Sequence, residues 1–112
     1  MKIRTIAAIL FFSTPRLHAE CFPLLFSDGK AACERREFNT ALKHLEAARG
    51  CPDKPAGTDL EDWIARARHG RDERNAWKCT LESDSREGWE VFLSRFPDGH
   101  YRARAEEYLA KL

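Results

Sequence analysis

The chain has 112 residues, of which 33% are charged, with 19 basic and 18 acidic side chains and a formal net charge of +1. That length suits one domain. Near-balanced charge of mixed sign excludes a polybasic nucleic-acid binder.

Residues 1–19 differ in character from the rest. Lys2 and Arg4 precede the apolar run from Ile6 to Phe12. Ser13, Thr14 and Pro15 break that run, and Ala19 offers a small residue for cleavage. This is the order of a secretory signal peptide. The apolar run is far shorter than the ~20 residues of a membrane-spanning helix, so no stable membrane insertion is expected after cleavage. Glu20 precedes Cys21 where a lipid-attachment motif has Gly or Ala. Cleavage after Ala19 leaves residues 20–112, with 16 basic and 18 acidic side chains and a net charge of −2. The expected location is periplasmic or secreted. All four cysteines, Cys21, Cys33, Cys51 and Cys79, lie in this part. An even cysteine count in a small exported chain predicts disulfides. Their spacing matches no zinc motif, and four cysteines allow three pairings.

The elements after residue 20 read as helices. Ala, Leu, Glu, Arg and Lys dominate, and no stretch alternates apolar with polar residues. Phe38, Ala41, Leu42, Leu45 and Ala48 fall on one helical face. Ser27-Asp28-Gly29 reads as a point where a helix is interrupted or begins. Gly50-Cys51-Pro52 stops the segment. After a loop over 52–57, Thr58 and Glu61 form a capping-box pattern. Leu60, Trp63, Ile64 and Ala67 make the buried stripe of the next helix, which runs on to Trp77 and Leu81. Its charged middle, Arg66 to Arg74, either projects into solvent or bends near Gly70. Ser83-Asp84-Ser85 is a break and a cap. Trp89, Phe92, Leu93 and Phe96 form a further stripe, and Pro97-Asp98-Gly99 is a turn. Tyr101, Ala105, Tyr108, Leu109 and Leu112 line the last helix.

No pattern points to catalysis, a cofactor or a metal. His44, His69 and His100 lie far apart and in no ligand motif, and surface or capping roles account for them. Glu61/Asp62 and Glu106/Glu107 point to different sides of their helices. Asp98 lacks the alternating acidic ligands of a calcium loop. Core packing is the default role of the aromatic residues. Arg66, Arg68, Arg71 and Arg74, with Asp72 and Glu73 among them, read as a solvated, ion-paired face.

Residues Gly29 to Pro52 resemble a tetratricopeptide repeat. Gly29, Ala32, Phe38, Ala41, Leu45 and Ala48 match the small and aromatic positions of that family, which stacks antiparallel helix pairs. Pro52 falls one position early. Residues Ala76 to Leu109 are similar to tetratricopeptide-like repeats of periplasmic proteins. There the Phe92-Leu93 pair, Phe96-Pro97, Gly99, Tyr101 and Ala105 carry the likeness. The resemblance implies an all-α fold of three to five helices in antiparallel hairpins, a non-enzymatic role and a protein partner in the bacterial envelope. It also implies a chain reversal near Arg36 to Phe38, which favours Cys21–Cys51 and Cys33–Cys79 as two disulfides. Because the first helix of each pair lines the concave surface in that family, Phe26, Lys30, Glu34 and Arg66 are nominated as partner-binding residues. The competing expectation is a small secreted inhibitor or effector acting on a host or competitor protein.

Overall fold

The computed structural model describes residues 20–112; the expected signal peptide lies outside them. These residues form five α-helices and, among them, no strand: α1 (Cys21–Glu34), α2 (Phe38–Arg49), α3 (Leu60–Ser83), α4 (Arg86–Arg95) and α5 (Arg102–Ala110). The chain divides into two compact units, one ending at Arg68 and the other comprising His69–Leu112. No helix of the described residues is long and apolar enough to cross a membrane.

In the first unit α1 runs unbroken through Ser27-Asp28-Gly29, where the sequence reads as a helix interrupted or beginning. Gly29 is buried, and a Cβ on it would stand 2.6 Å from the Leu45 side chain. A glycine in mid-helix ordinarily costs about 1 kcal/mol against alanine. Here it lets α1 and α2 approach closely, and the two helices pack against each other. Arg36 ends α1 at φ 64°. The Glu37 amide donates to the Ala32 carbonyl at 2.9 Å and the Arg36 amide to that of Cys33 at 3.0 Å. This is a Schellman ending, with arginine where glycine is usual. The core comprises Phe22, Ala32, Cys33, Phe38, Ala41, Leu42, Leu45, Ala48, Cys51, Leu60, Ile64 and Ala67. The α2 and α3 stripes read from periodicity are therefore the buried faces.

Cys21 and Cys51 form a disulfide with their Cα atoms 5.8 Å apart, joining the start of α1 to the residue after the α2 cap. Next to it the Phe22 amide donates to Asp53 Oδ1 at 3.0 Å. Asp53 thus caps α1 from a distant loop, since Glu20 makes no side-chain cap. The expected second disulfide is not formed, because Cys33 and Cys79 are free thiols. Cys33 is 4% exposed and packs in the first core as a small apolar side chain, whereas Cys79 is exposed on the second unit.

Helix α3 begins two residues after Thr58, and the Trp63 amide donates to the Asp59 carbonyl at 3.2 Å. Asp59, rather than Thr58, therefore occupies the capping position. Glu61 does not close a capping box; its carboxylate accepts from Arg49 Nε at 2.9 Å and Nη2 at 2.6 Å. The helix continues unbroken through Gly70.

The second unit packs the rest of α3 with α4 and α5 around Trp77, Trp89, Phe92, Phe96 and Ala105. Trp77 stacks on Tyr101 with ring centroids 4.6 Å apart, and Trp89 stacks on Tyr108 at 4.9 Å. The Trp89 indole N–H donates to Asp84 Oδ1 at 2.8 Å. Asp84 sits at φ 43° between α3 and α4, and Ser85 Oγ caps α4 by accepting from the Gly88 amide at 3.0 Å. Glu73 is 3% exposed. Its Oε2 accepts from the Tyr101 amide at 3.2 Å, at the start of α5. A Cβ on Gly99 would collide with the same carboxylate. The 97–99 turn thus needs glycine to admit Glu73.

Candidate functional site

The nominated residues fall on α1 and the first turns of α3, within the first unit. Phe26 and Lys30 stand one turn apart on α1, and the Lys30 ammonium lies over the Phe26 ring, 4.3 Å from its centroid. The same ammonium is 6.0 Å from the centroid of Trp63 on α3. Arg66, one turn after Trp63, places its guanidinium 4.7 Å from that ring. Two cations therefore converge on one indole, with a phenyl ring beside them. Phe26, Lys30 and Trp63 are half-buried and Arg66 is exposed. Glu34 lies exposed one turn beyond Lys30, outside the ring contacts.

The helical register explains the convergence. Residues four apart share a helix face, so Phe26, Lys30 and Glu34 form one edge of α1. Trp63 and Arg66, three apart, form the matching edge of α3. Trp63 belongs to the partly buried shell of the core, whose deeper members Leu60, Ile64 and Ala67 fix the rotation of α3. The ring is thus partly buried against the core while Lys30 and Arg66 approach it. Cation–aromatic contacts at exposed sites contribute about 0.5–1 kcal/mol each.

The electrostatic setting differs from that of neighbouring arginines. Arg68 pairs with Glu46 at 3.0 Å and Arg49 with Glu61 at 2.6 Å. Lys30 and Arg66 have no carboxylate within ion-pair distance among the described residues. An ammonium or guanidinium has donors only. Their outward N–H groups are thus available to acceptors on another molecule. Beneath them, burial pushes the Cys33 thiol above its ordinary pKa, against a smaller opposing pull from Arg66. Cys33 is a packed side chain, not an activated nucleophile.

Sequence reading placed Trp63 in the buried stripe and missed its second role. The signal was present, since a tryptophan three residues before an arginine shares its helix edge. Glu73 was read as part of a solvated charged face. Its position four residues before Trp77, on the buried side, is what sets it inside. Asp53 was read as loop, and nothing local marks it as a distant cap.

One group of potential metal ligands occurs among the described residues: Cys21, Cys51 and Asp53, with donor atoms within 4.8 Å of one another. The two sulfurs are bonded to each other, which leaves the carboxylate as the one available donor. His44 is half-buried and His69 exposed, with the latter's ring 5.4 Å from Phe96. His100 is exposed, edge-on to Tyr101. Comparison with protein families, curated proteins and solved structures finds no match for the chain.

Proposed function

We propose that the chain is exported after cleavage near Ala19 and acts as a non-enzymatic, tetratricopeptide-like interaction module of a bacterial periplasm or envelope. Phe26, Lys30, Glu34 and Arg66 contact the partner protein, with Trp63 as the aromatic centre. The observation that carries this reading is the convergence of Lys30 and Arg66 on the half-buried Trp63 ring beside Phe26. Tryptophan and arginine are enriched among the residues that dominate protein interfaces. A rigid helical support lowers the entropy lost on docking. The repeat reading draws support from the three-residue connection between α1 and α2, the close approach at Gly29 and the aromatic Phe38 that opens α2.

Crosslinking in the protein's own cells tests the reading. One envelope protein should be captured reproducibly, and the combined Lys30→Gln, Glu34→Gln and Arg66→Gln variant should lose it while keeping its helical circular dichroism. Capture that survives these changes refutes the surface. An intact mass that retains residues 1–19 refutes export.

A further inference from the structure

A second surface lies within the unit His69–Leu112, away from the residues just discussed in sequence. A concavity of about 380 Å³ between α3 and α4 is lined by Ala76, Thr80, Gly88, Val91 and Phe92, with Glu87 and Arg95 towards its ends. It shares Ala76, Thr80 and Arg95 with a neighbouring concavity of about 360 Å³. Ala76, Thr80, Ser85 and Gly88 make part of the wall from small residues, where another helix can approach closely. Val91 is 58% exposed, a large apolar side chain left mostly open to solvent among the described residues.

Charge identifies the occupant. Glu87, Val91 and Arg95 are spaced four residues apart on α4, so they form one stripe about 12 Å long at a rise of ~1.5 Å per residue. Val91 is its midpoint. Glu87 and Arg95 are both exposed, and neither has an ion-pair partner among the described residues. Arg95 rests on the Phe96 ring at 5.0 Å, which leaves its guanidinium N–H groups available. Such a stripe is self-complementary. When α4 meets an antiparallel copy of itself about a two-fold axis at Val91, each Glu87 faces the other copy's Arg95 and the two valines meet at the centre. An isologous interface requires this self-matching. An unrelated partner would need an independent reason to reproduce it.

We infer that the α3/α4 groove is a homodimer interface, occupied by α4 of a second copy packed antiparallel about Val91. The inference does not depend on the partner surface of the first unit. One helix pair buries less than a stable obligate dimer does, so the association is weak and concentration-dependent.

Sedimentation equilibrium of the purified, disulfide-intact protein from micromolar to millimolar concentration tests it. The expected weight-average mass rises towards twice the monomer value. Glu87→Arg alone and Arg95→Glu alone each place like charges opposite one another twice, so each weakens self-association by roughly tenfold or more. An equimolar mixture of these two single variants restores opposite charges and forms heterodimers. The double variant Glu87→Arg/Arg95→Glu forms homodimers again. Val91→Asp abolishes all of these species. A chain that stays monomeric at millimolar concentration overturns the inference and leaves the groove to a foreign partner. Association that both single variants leave unchanged, or a mixture that fails to recover it, places the contact elsewhere and equally overturns it.

Discussion

The two units reach a stable core by different means. The first is filled mainly with small and aliphatic side chains: Ala32, Ala41, Ala48 and Ala67, with Leu42, Leu45, Leu60 and Ile64, are all at most 5% exposed. Such a core lets helices approach closely but buries little area per residue, and a disulfide fastens its open end. The second has no crosslink. It relies on Trp77, Trp89, Phe92 and Phe96, and spends one buried carboxylate, Glu73, to hold the turn before α5. A small assembly can thus offset chain entropy by covalent constraint or by large aromatic burial. Each choice has its own weak point.

That contrast is open to attack, and the heaviest blow falls on the aromatic core. Trp89 is fully buried, stacked on Tyr108 and hydrogen-bonded to Asp84. Trp89→Ala should lower stability by about 3–5 kcal/mol in urea titration, with amide hydrogen exchange accelerating in α4 and α5. A loss below about 1 kcal/mol would mean that the aromatics are not what holds this unit. Replacing Cys21 and Cys51 together by Ser should cost about 2–4 kcal/mol, with exchange rising in α1 and α2 and not in α5. Uniform acceleration through both units would show that they are not separate cooperative bodies. Gly29→Ala should cost about 1–3 kcal/mol, because the added carbon meets Leu45 at 2.6 Å. A neutral or stabilising change would show that α1 and α2 have room to spare.

The thiols and the surface ion pair give smaller effects. Timed alkylation followed by mass spectrometry should modify exposed Cys79 well before buried Cys33. Because burial raises the Cys33 pKa, the thiol's contribution to stability is present below the ordinary thiol range and declines as pH rises through its folded value. Cys33→Ala should flatten that alkaline decline; an unchanged profile would assign it to other groups. Smallest is the Arg49–Glu61 pair. Hydrogen bonding from Arg49 holds the Glu61 carboxyl below its usual pKa, so its contribution is present above the unfolded carboxylate value and fades as pH falls through the folded one. Both groups are exposed, and Arg49→Gln should change the melting temperature little, and still less in high salt.

Periodicity located the buried faces of α2 and of the first half of α3, since Ala41, Leu45, Ala48, Leu60, Ile64 and Ala67 are all core. Turn and capping residues marked Ser83-Asp84-Ser85 as a break and cap, within which Ser85 is the N-cap, and 97–99 as a turn. Local signals misled where longer-range contacts won. Ser27-Asp28-Gly29 carries turn residues, yet packing of α2 against Gly29 keeps α1 whole. The Thr58/Glu61 capping pattern lost Glu61 to Arg49, an arginine 12 residues earlier. Within the candidate site, Phe26, Lys30 and Arg66 were nominated from a resemblance. Their meeting at Trp63 depends on the packing of α1 beside α3, which no local pattern reports.

The amino-acid order by itself determined the helical class, the main apolar stripes and the helix-ending turns. Those properties follow from steric propensity and from spacing along one chain. Tertiary structure alone decided that Cys33 and Cys79 stay unbonded, which carboxylate is buried and which cations stay unpaired. Cys33 faces a core while Cys79 faces solvent, Glu73 reaches the Tyr101 amide 28 residues away, and Asp53 reaches the Phe22 amide across 31. Each outcome depends on a distance between residues remote in sequence, and such a distance exists only once the helices have packed.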